Sequence, residues 1–129
     1  MSLFTQIFGN SNKDSTEIHV VWNPLKQITQ LDDIISESFH QPVIIFKHST
    51  RCSISRMALK QFEIHYSAPL DTLKPYFLDL LAYRELSNEI ASRFNVMHQS
   101  PQLLLIKEGK CVYTASHSDI DADELITKI

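Results

Sequence analysis

Apolar residues recur along this chain in two spacings, which predict strands and helices in alternation. Short apolar or alternating runs predict β-strands at residues 17–22, 43–48, 76–82, 103–106 and 111–114. Apolar residues spaced three and four apart predict α-helices at residues 29–39, 52–66, 86–94 and 119–128. The predicted order of elements is therefore β-α-β-α-β-α-β-β-α.

The same spacing predicts details of the helices. The second helix is predicted from the helical spacing of Ile54, Met57, Ala58 and Phe62. Thr29 and Ser87 are predicted to cap the first and third helices, because a hydroxyl at a helix start can accept a hydrogen bond from the first turn. Asn23-Pro24 is predicted to end the first strand.

The order of the elements determines how the strands pair. Each of the first two βαβ units requires parallel strands joined by a right-handed crossover. The turn Glu108-Gly109-Lys110 is of the hairpin type and makes the last two strands antiparallel. The predicted fold class is α/β, with a mixed central β-sheet and helices on both faces.

Length and composition favour one compact domain. The chain has 129 residues, 43% of them hydrophobic. We expect residues 1–16 to form an N-terminal tail and residues 17–129 to form the domain. A net charge of −3 without clustered Lys or Arg argues against a nucleic-acid partner. The apolar runs are too short to span a bilayer, so no membrane partner is expected.

The N-terminus and the cysteine content indicate a compartment. Residues 1–9 lack the charged region and the continuous apolar stretch of a secretory signal. Cys52 and Cys111 are too few for a disulfide framework and suit a reducing environment. The expected location is cytoplasmic.

The sequence contains no pattern typical of a bound metal or cofactor. The six histidines are scattered, and neither a Cys-x-x-Cys nor a His-x-x-x-His pair occurs. Gly9 and Gly109 are the only glycines, so a glycine-rich phosphate loop cannot form. We expect no metal site and no tightly bound cofactor.

Cys52 is the candidate nucleophile, because it lies where a buried strand gives way to a helix. The N–H groups of a helix's first turn have no partners within the helix, and the helix dipole adds partial positive charge there. Both effects favour thiolate over thiol, and Arg51 adds a full positive charge next to it. Cys111 lies in the final hairpin, where a cysteine is usually a small apolar core residue. A resolving role for Cys111 would require it to come within disulfide reach of Cys52.

The stretch around Cys52 resembles the active-site stretch of one family. It reads Phe46-Lys47-His48-Ser49-Thr50-Arg51-Cys52-Ser53-Ile54-Ser55. It is similar to that of the YtxJ-like proteins of the bacillithiol system, the monothiol bacilliredoxins. Trp22 and Ser100-Pro101-Gln102 also match, and the family's place in the thioredoxin superfamily implies a thioredoxin-like fold. The chain departs from the family at Ser53, where many members have proline, and at Arg51, where threonine is common.

The resemblance implies an enzyme that removes bacillithiol, a low-molecular-weight thiol, from proteins that carry it as a mixed disulfide. Cys52 would be the catalytic residue. The predicted supporting residues are Lys47, His48, Thr50, Arg51 and Ser55. Ser100 and Pro101 would bind the substrate across a cis peptide bond, with the backbone of Ser100 pairing as an added strand does. The predicted partners are S-bacillithiolated proteins, bacillithiol as co-substrate, and a reductase or second small thiol that regenerates Cys52.

The roles of the neighbouring residues have alternatives. Ser55 has the place of the resolving cysteine of a dithiol enzyme, and it either donates a hydrogen bond to the Cys52 sulfur or is a solvated helix serine. Lys47 and His48 either hold the thiolate or the anionic groups of bacillithiol, or form a solvated strand end. Pro101 either follows a cis bond or is a trans proline at the start of a strand.

Two other functions also fit the sequence. One is a monothiol glutaredoxin-like carrier of an iron–sulfur cluster, because Cys52-Ser53-Ile54-Ser55 has the spacing of the Cys-Gly-Phe-Ser stretch of that family, although it lacks the glycine. The other is a non-catalytic thioredoxin-fold adaptor or stress protein, in which Cys52 is incidental. A cluster spectrum would support the first, and an unreactive Cys52 would support the second.

Overall fold

The computed structural model describes residues 20–68 and 72–129. In these ranges five strands form one sheet in the order β1-β3-β2-β4-β5, and four α-helices flank it. The strands are β1 (Asn23–Pro24), β2 (Val43–His48), β3 (Lys74–Asp79), β4 (Gln102–Lys107) and β5 (Lys110–Ser116). The helices are α1 (Thr29–Glu37), α2 (Ser53–His65), α3 (Arg84–Arg93) and α4 (Ala122–Lys128), and a 3₁₀ turn (His117–Asp119) precedes α4. The predicted tail, residues 1–16, and the start of the predicted first strand lie outside the described residues.

The predicted order of elements and the fold class are confirmed. β3 pairs in parallel with both β1 and β2, whereas β4 pairs antiparallel with β2 and β5, so the sheet is mixed. β2 is the central strand, and all six of its residues are buried. A strand covered on both faces needs apolar side chains on both, which explains the uninterrupted apolar run before Lys47.

Each face of the sheet carries its own hydrophobic core. The core beneath α2 and α4 includes Phe46, Phe62 and Leu125. The core beneath α1 and α3 includes Leu31, Ile45 and Ile90. Because side chains alternate along a strand, His48 points to the α2 face and Lys47 points to the α3 face. This alternation decides which charged groups share a face with Cys52.

Several predicted element ends are wrong. Thr29 is already helical and follows Ile28, whose backbone is itself helical (φ −61°, ψ −34°), so Thr29 is not the cap. Ser87 lies inside α3 and is fully buried, because the helix begins at Arg84. The first strand is the Asn23–Pro24 pair, which lies beside β3. The last helix begins at Ala122 instead of 119, since residues 117–119 turn as a 3₁₀ segment.

The apolar residues whose spacing predicted α2 are only partly buried. Phe62 is buried, but Ile54 and Met57 are 58% and 68% exposed. Ser55 is buried instead, and it shares its side of the helix with Phe62 and Tyr66. Two sets of residues in α2 have helical spacing, one that begins at Ile54 and one that begins at Ser55, and Phe62 belongs to both. Packing against the sheet buries the set that begins at Ser55.

The predicted hairpin turn between β4 and β5 is confirmed. Glu108 and Gly109 have φ values of 52° and 78°, the pair of left-handed residues typical of a two-residue hairpin turn. Both N–H groups bond to Ser38 at the end of α1, that of Glu108 to the carbonyl oxygen over 2.9 Å and that of Gly109 to Oγ over 2.7 Å. A Cβ at position 109 would lie 3.4 Å from the Phe39 ring, so glycine also suits the close packing.

Candidate active site

Cys52 lies at the start of α2, after the turn that follows β2. Its backbone is extended (φ −106°, ψ 122°), and it is the N-cap residue of the helix. Its N–H donates to the Ser49 carbonyl oxygen over 3.2 Å, and its own carbonyl oxygen accepts from the Arg56 N–H over 3.0 Å. The half-buried sulfur therefore stands at the N-terminus of a 13-residue helix, where unpaired N–H groups and the dipole favour negative charge.

Ser55, one turn after Cys52, is fully buried, and its hydroxyl is engaged inside the protein. Its Oγ lies 2.7 Å from Nδ1 of His48 and accepts a hydrogen bond from the Ser49 N–H over 3.0 Å. In the described residues it makes no hydrogen bond to the Cys52 sulfur. Both interpretations of Ser55 were therefore wrong, because it is neither solvated nor bonded to the thiol.

His48 is buried at the end of β2, so the interpretation of a solvated strand end is wrong for it. Burial lowers the pKa of His48, and the Arg56 charge lowers it further, while the Asp79 carboxylate and the Ser55 contact act in the opposite direction. The neutral imidazole is favoured near neutral pH. His48 thus fixes the turn through Ser55 and brings no full charge to the sulfur.

Ser100 and Pro101 lie at the same edge of the sheet as the turn into α2. Their peptide bond is cis, in agreement with the prediction for this bond. The next residue, Gln102, pairs with Lys47 near the end of β2, which sets this position. The Pro101 carbonyl oxygen accepts a hydrogen bond from the His117 N–H over 3.1 Å. Ser100 Oγ is buried and has no hydrogen-bond partner in the described ranges, and its substrate-binding role stays a prediction.

Cys111 lies at the opposite end of the sheet from Cys52. It pairs with Ile106, which pairs with Val43 at the start of β2, whereas Cys52 follows the end of β2. Five strand residues separate these ends, or roughly 16 Å at about 3.3 Å per residue. Cys111 also packs on the α1 and α3 face, and burial raises the pKa of its thiol. A disulfide needs Cα atoms within about 7 Å, so Cys111 is out of reach of Cys52.

The whole domain, from β1 to α4, matches one known family. The model of the monothiol bacilliredoxin BrxC family matches residues 23–125 of this chain. The chain belongs to the monothiol bacilliredoxin family. The match includes Cys52, Ser55, Ser100 and Pro101.

Solved structures with a thioredoxin fold agree with this family assignment. A protein described as a candidate oxidoreductase with a thioredoxin fold is 32% identical at a TM-score of 0.70, and the match covers 83% of this chain and 92% of that one. A thioredoxin from Malassezia sympodialis is 18% identical at a TM-score of 0.62, covering 85% of this chain and 92% of its own. A thioredoxin from Fasciola hepatica is 19% identical at a TM-score of 0.62, covering 83% and 95%. The fold is thioredoxin-like, and the family and the 32% identical structure support a thiol redox role.

In this bacilliredoxin-family chain, Lys47 lies on the α3 face, opposite to α2 and Cys52. Its side chain is fully buried, and its Nζ donates to the Ser87 carbonyl oxygen over 3.1 Å and lies 3.3 Å from Nδ1 of His98. Lys47 is therefore neither a solvated strand end nor a contact of the thiolate. Sequence reasoning missed His98 and Gln102. The available signal was that Lys47 and Gln102 are polar residues next to the apolar runs of two strands that pair with each other.

Thr50 and Arg51 form the exposed turn between β2 and α2. The Thr50 carbonyl oxygen accepts a hydrogen bond from the Arg56 guanidinium over 3.1 Å. Arg51 is exposed next to Cys52 and forms no ion pair within the described residues. The turn into α2 and the first turn of the helix therefore carry two cationic side chains, those of Arg51 and Arg56.

A groove of about 460 Å³ runs along the first two turns of α2. Its apolar lining includes the exposed Ile54 and Met57, and its other wall is the 3₁₀ turn with His117 and Ile120. His117 has a φ of 55°, a conformation that is uncommon for residues other than glycine. One end of the groove is lined by Ser53, the residue that follows Cys52.

In residues 20–68 and 72–129, no three or more His, Cys, Asp or Glu side chains are grouped to hold a metal ion. No helix in these ranges is long and apolar enough to cross a bilayer.

Proposed function

We propose that this chain is a monothiol bacilliredoxin, which removes bacillithiol from protein mixed disulfides through Cys52. The observation that carries the proposal is the placement of the two thiols. Cys52 stands at a helix N-terminus, Ser55 occupies the resolving position as a buried hydroxyl, and Cys111 lies at the far end of the sheet. One thiol is therefore available for the reaction, as a monothiol mechanism requires.

The first step is a thiol–disulfide exchange at Cys52. The Cys52 thiolate attacks the bacillithiol sulfur of the mixed disulfide, and the protein–bacillithiol S–S bond breaks as the Cys52–bacillithiol bond forms. The substrate protein leaves as a thiolate and takes a proton from water.

The second step regenerates Cys52 with the help of another thiol. Because the Ser55 hydroxyl and the distant Cys111 cannot displace the adduct, a second bacillithiol thiolate or a partner reductase must attack it. With bacillithiol, the products are the disulfide of two bacillithiols and the free Cys52 thiolate. This cycle needs a reducing compartment, and we propose the cytoplasm.

The surface around Cys52 supports binding of both halves of such a substrate. The cations of Arg51 and Arg56 suit the anionic groups of bacillithiol. We expect the backbone of Ser100, at the cis bond before β4, to pair with an extended segment of the substrate protein. The exposed Ile54 and Met57 offer that protein an apolar contact.

The test is a single-turnover transfer read by intact mass. The reduced protein, mixed with a bacillithiolated protein, should gain one bacillithiol while the substrate regains a free thiol. Cys52→Ser should abolish the transfer, because a serine hydroxyl is scarcely ionised near neutral pH. Cys111→Ser is the matched control and should react like the unaltered chain. An internal Cys52–Cys111 disulfide, or equal loss in both variants, would show that the monothiol mechanism is wrong.

A further inference from the structure

The least expected polar group in the core is the ammonium of Lys47. Its side chain has no exposed surface, and its contacts are the Ser87 carbonyl oxygen at 3.1 Å and the His98 ring at 3.3 Å. In the described residues no carboxylate forms an ion pair with it. Burying a charge without a counter-charge is costly, so stability of the fold does not account for Lys47.

Burial and the neighbouring groups determine the protonation states of Lys47 and His98. Burial lowers the pKa of Lys47 to about 8, so the ammonium is the main form near neutral pH. Burial, the Lys47 charge and the Arg84 charge all lower the pKa of His98, so its ring is neutral and Nδ1 can accept a hydrogen bond. Ser87 and Arg84 come from α3 and His98 from the loop after it, while α1 buries the apolar Leu31 on this face. Lys47 is therefore a charged donor in this cluster, together with the neutral Ser87 hydroxyl, whose Oγ also lies 3.3 Å from Nδ1 of His98.

His98 belongs to the loop that leads to Ser100 and Pro101. A second buried side chain holds the same loop, because Gln102 Nε2 donates to the Met97 carbonyl oxygen over 3.0 Å and its Oε1 accepts from the Gln99 N–H over 3.4 Å. Gln102 is the strand partner of Lys47. Residues 97–99, which lead directly into Ser100 and Pro101, are thus anchored from within by two neighbouring side chains, one from β2 and one from β4.

We propose that Lys47 is a positioning residue, which holds residues 97–101 so that Ser100 and Pro101 meet the protein half of the substrate of Cys52. It acts from the opposite face of the sheet and touches neither the sulfur nor the substrate. The proposal rests on the proposed function, because it concerns the same reaction. It predicts that Lys47 matters for substrates that contact the loop and not for small reagents that reach Cys52 directly.

The test compares Lys47→Met with the unaltered chain in two reactions of Cys52. With a bacillithiolated protein, kcat/KM should fall about tenfold or more through KM, which is the scale on which misplaced binding groups reduce rates. The rate of alkylation by iodoacetamide should stay unchanged, since that reagent does not need the loop. Lys107→Met, at the other end of β4, is the matched control and should change neither. Unchanged kcat/KM, or equal loss in both reactions, would overturn the proposal.

The pH dependence of the two rates is a further test, because a purely structural role of Lys47 would not change it. The ratio of kcat/KM to the alkylation rate cancels the ionisation of Cys52, which both reactions share. In the unaltered chain this ratio should fall above about pH 8, because the Lys47 ammonium becomes a neutral amine, which is a weaker donor to the Ser87 carbonyl oxygen and to His98. In Lys47→Met the ratio should be low and independent of pH. A ratio that does not vary with pH in the unaltered chain would contradict the proposal.

Amide hydrogen exchange of residues 97–101 needs no substrate and separates this inference from the proposed function. Exchange there should be about tenfold faster in Lys47→Met, while the strands stay protected. If Lys47→Met does not fold, His98→Leu should show the same effects, and His98→Gln, which keeps an acceptor, should reverse them. If the unaltered chain transfers no bacillithiol, the proposed function fails and exchange decides the positioning role. Unchanged exchange of residues 97–101 in a folded variant would overturn the positioning role of Lys47.

Discussion

The Ser55 hydroxyl oxygen lies 2.7 Å from Nδ1 of His48 and accepts the Ser49 N–H, so the first turn of α2 is tied to the end of the central strand. In a dithiol enzyme the position of Ser55 carries the resolving cysteine. In this chain the same position joins the buried strand to the turn before Cys52. Ser55 thus accounts both for the absence of a resolving thiol at this position and for the hydrogen bonds that hold the turn before Cys52.

Removing the Ser55 hydroxyl should destabilise the protein. In Ser55→Ala, both His48 Nδ1 and the Ser49 N–H lose a buried partner, which costs about 1–3 kcal/mol. Urea unfolding measures the change in the free energy of unfolding. Ser53→Ala, at the exposed neighbouring position, is the control and should stay within about 0.5 kcal/mol. Equal stability of Ser55→Ala and the unaltered chain would mean that the buried hydrogen bonds contribute nothing.

Placing a thiol at position 55 should convert the monothiol mechanism into a dithiol mechanism. Residues three apart in a helix have Cα atoms about 5 Å apart, which is within disulfide range. In Ser55→Cys, the introduced thiol should attack the Cys52 adduct, release bacillithiol and leave an internal disulfide. Intact mass should then show loss of two hydrogens in place of the bacillithiol adduct. A stable adduct in this variant would show that the buried position cannot reach the Cys52 sulfur.

Lys47 should make stability depend on pH in a defined window. Its pKa is lowered from 10.5 to about 8 in the folded protein. Between these values the unfolded chain binds more protons than the folded protein, so the free energy of unfolding rises with pH. The destabilisation is fully present below about pH 8 and amounts to at most roughly 3 kcal/mol.

Lys47→Met should therefore be more stable than the unaltered chain near neutral pH, and the gap should close as the pH rises towards about 10.5. Urea unfolding of both proteins across this range measures the gap, and groups common to both cancel. A gap that is constant with pH would show that Lys47 does not titrate in the window.

A negative charge on the exposed face of α2 should weaken docking of the substrate protein. Met57 is 68% exposed beside the groove, so Met57→Glu should leave the fold intact. It should lower kcat/KM with a bacillithiolated protein by about tenfold, or roughly 1–2 kcal/mol, the scale of a central interface residue. Val112→Glu is the control, because it places a negative charge at another exposed apolar position, on β5, and it should have no effect. If both variants react like the unaltered chain, the substrate docks elsewhere.

The sequence by itself determined the elements whose signals are local. The apolar run of β2, the turn at Glu108 and Gly109 and the cysteine at a helix start are each encoded within a few residues. From them the order of elements and the mixed sheet follow, because parallel crossovers and a tight hairpin leave few arrangements. The family resemblance around Cys52 is also local, and it pointed to the monothiol bacilliredoxins.

Only the tertiary structure decided which side chains meet. Helical spacing allowed two stripes on α2, and packing against the sheet buried Ser55 while leaving Ile54 and Met57 exposed. Lys47 and His98 are 51 residues apart, and their contact exists because α3 and its loop lie against the face to which Lys47 points. The pattern of a central strand does not reveal this face, since both of its faces are buried. Contacts between distant segments depend on how layers stack, which no local pattern encodes.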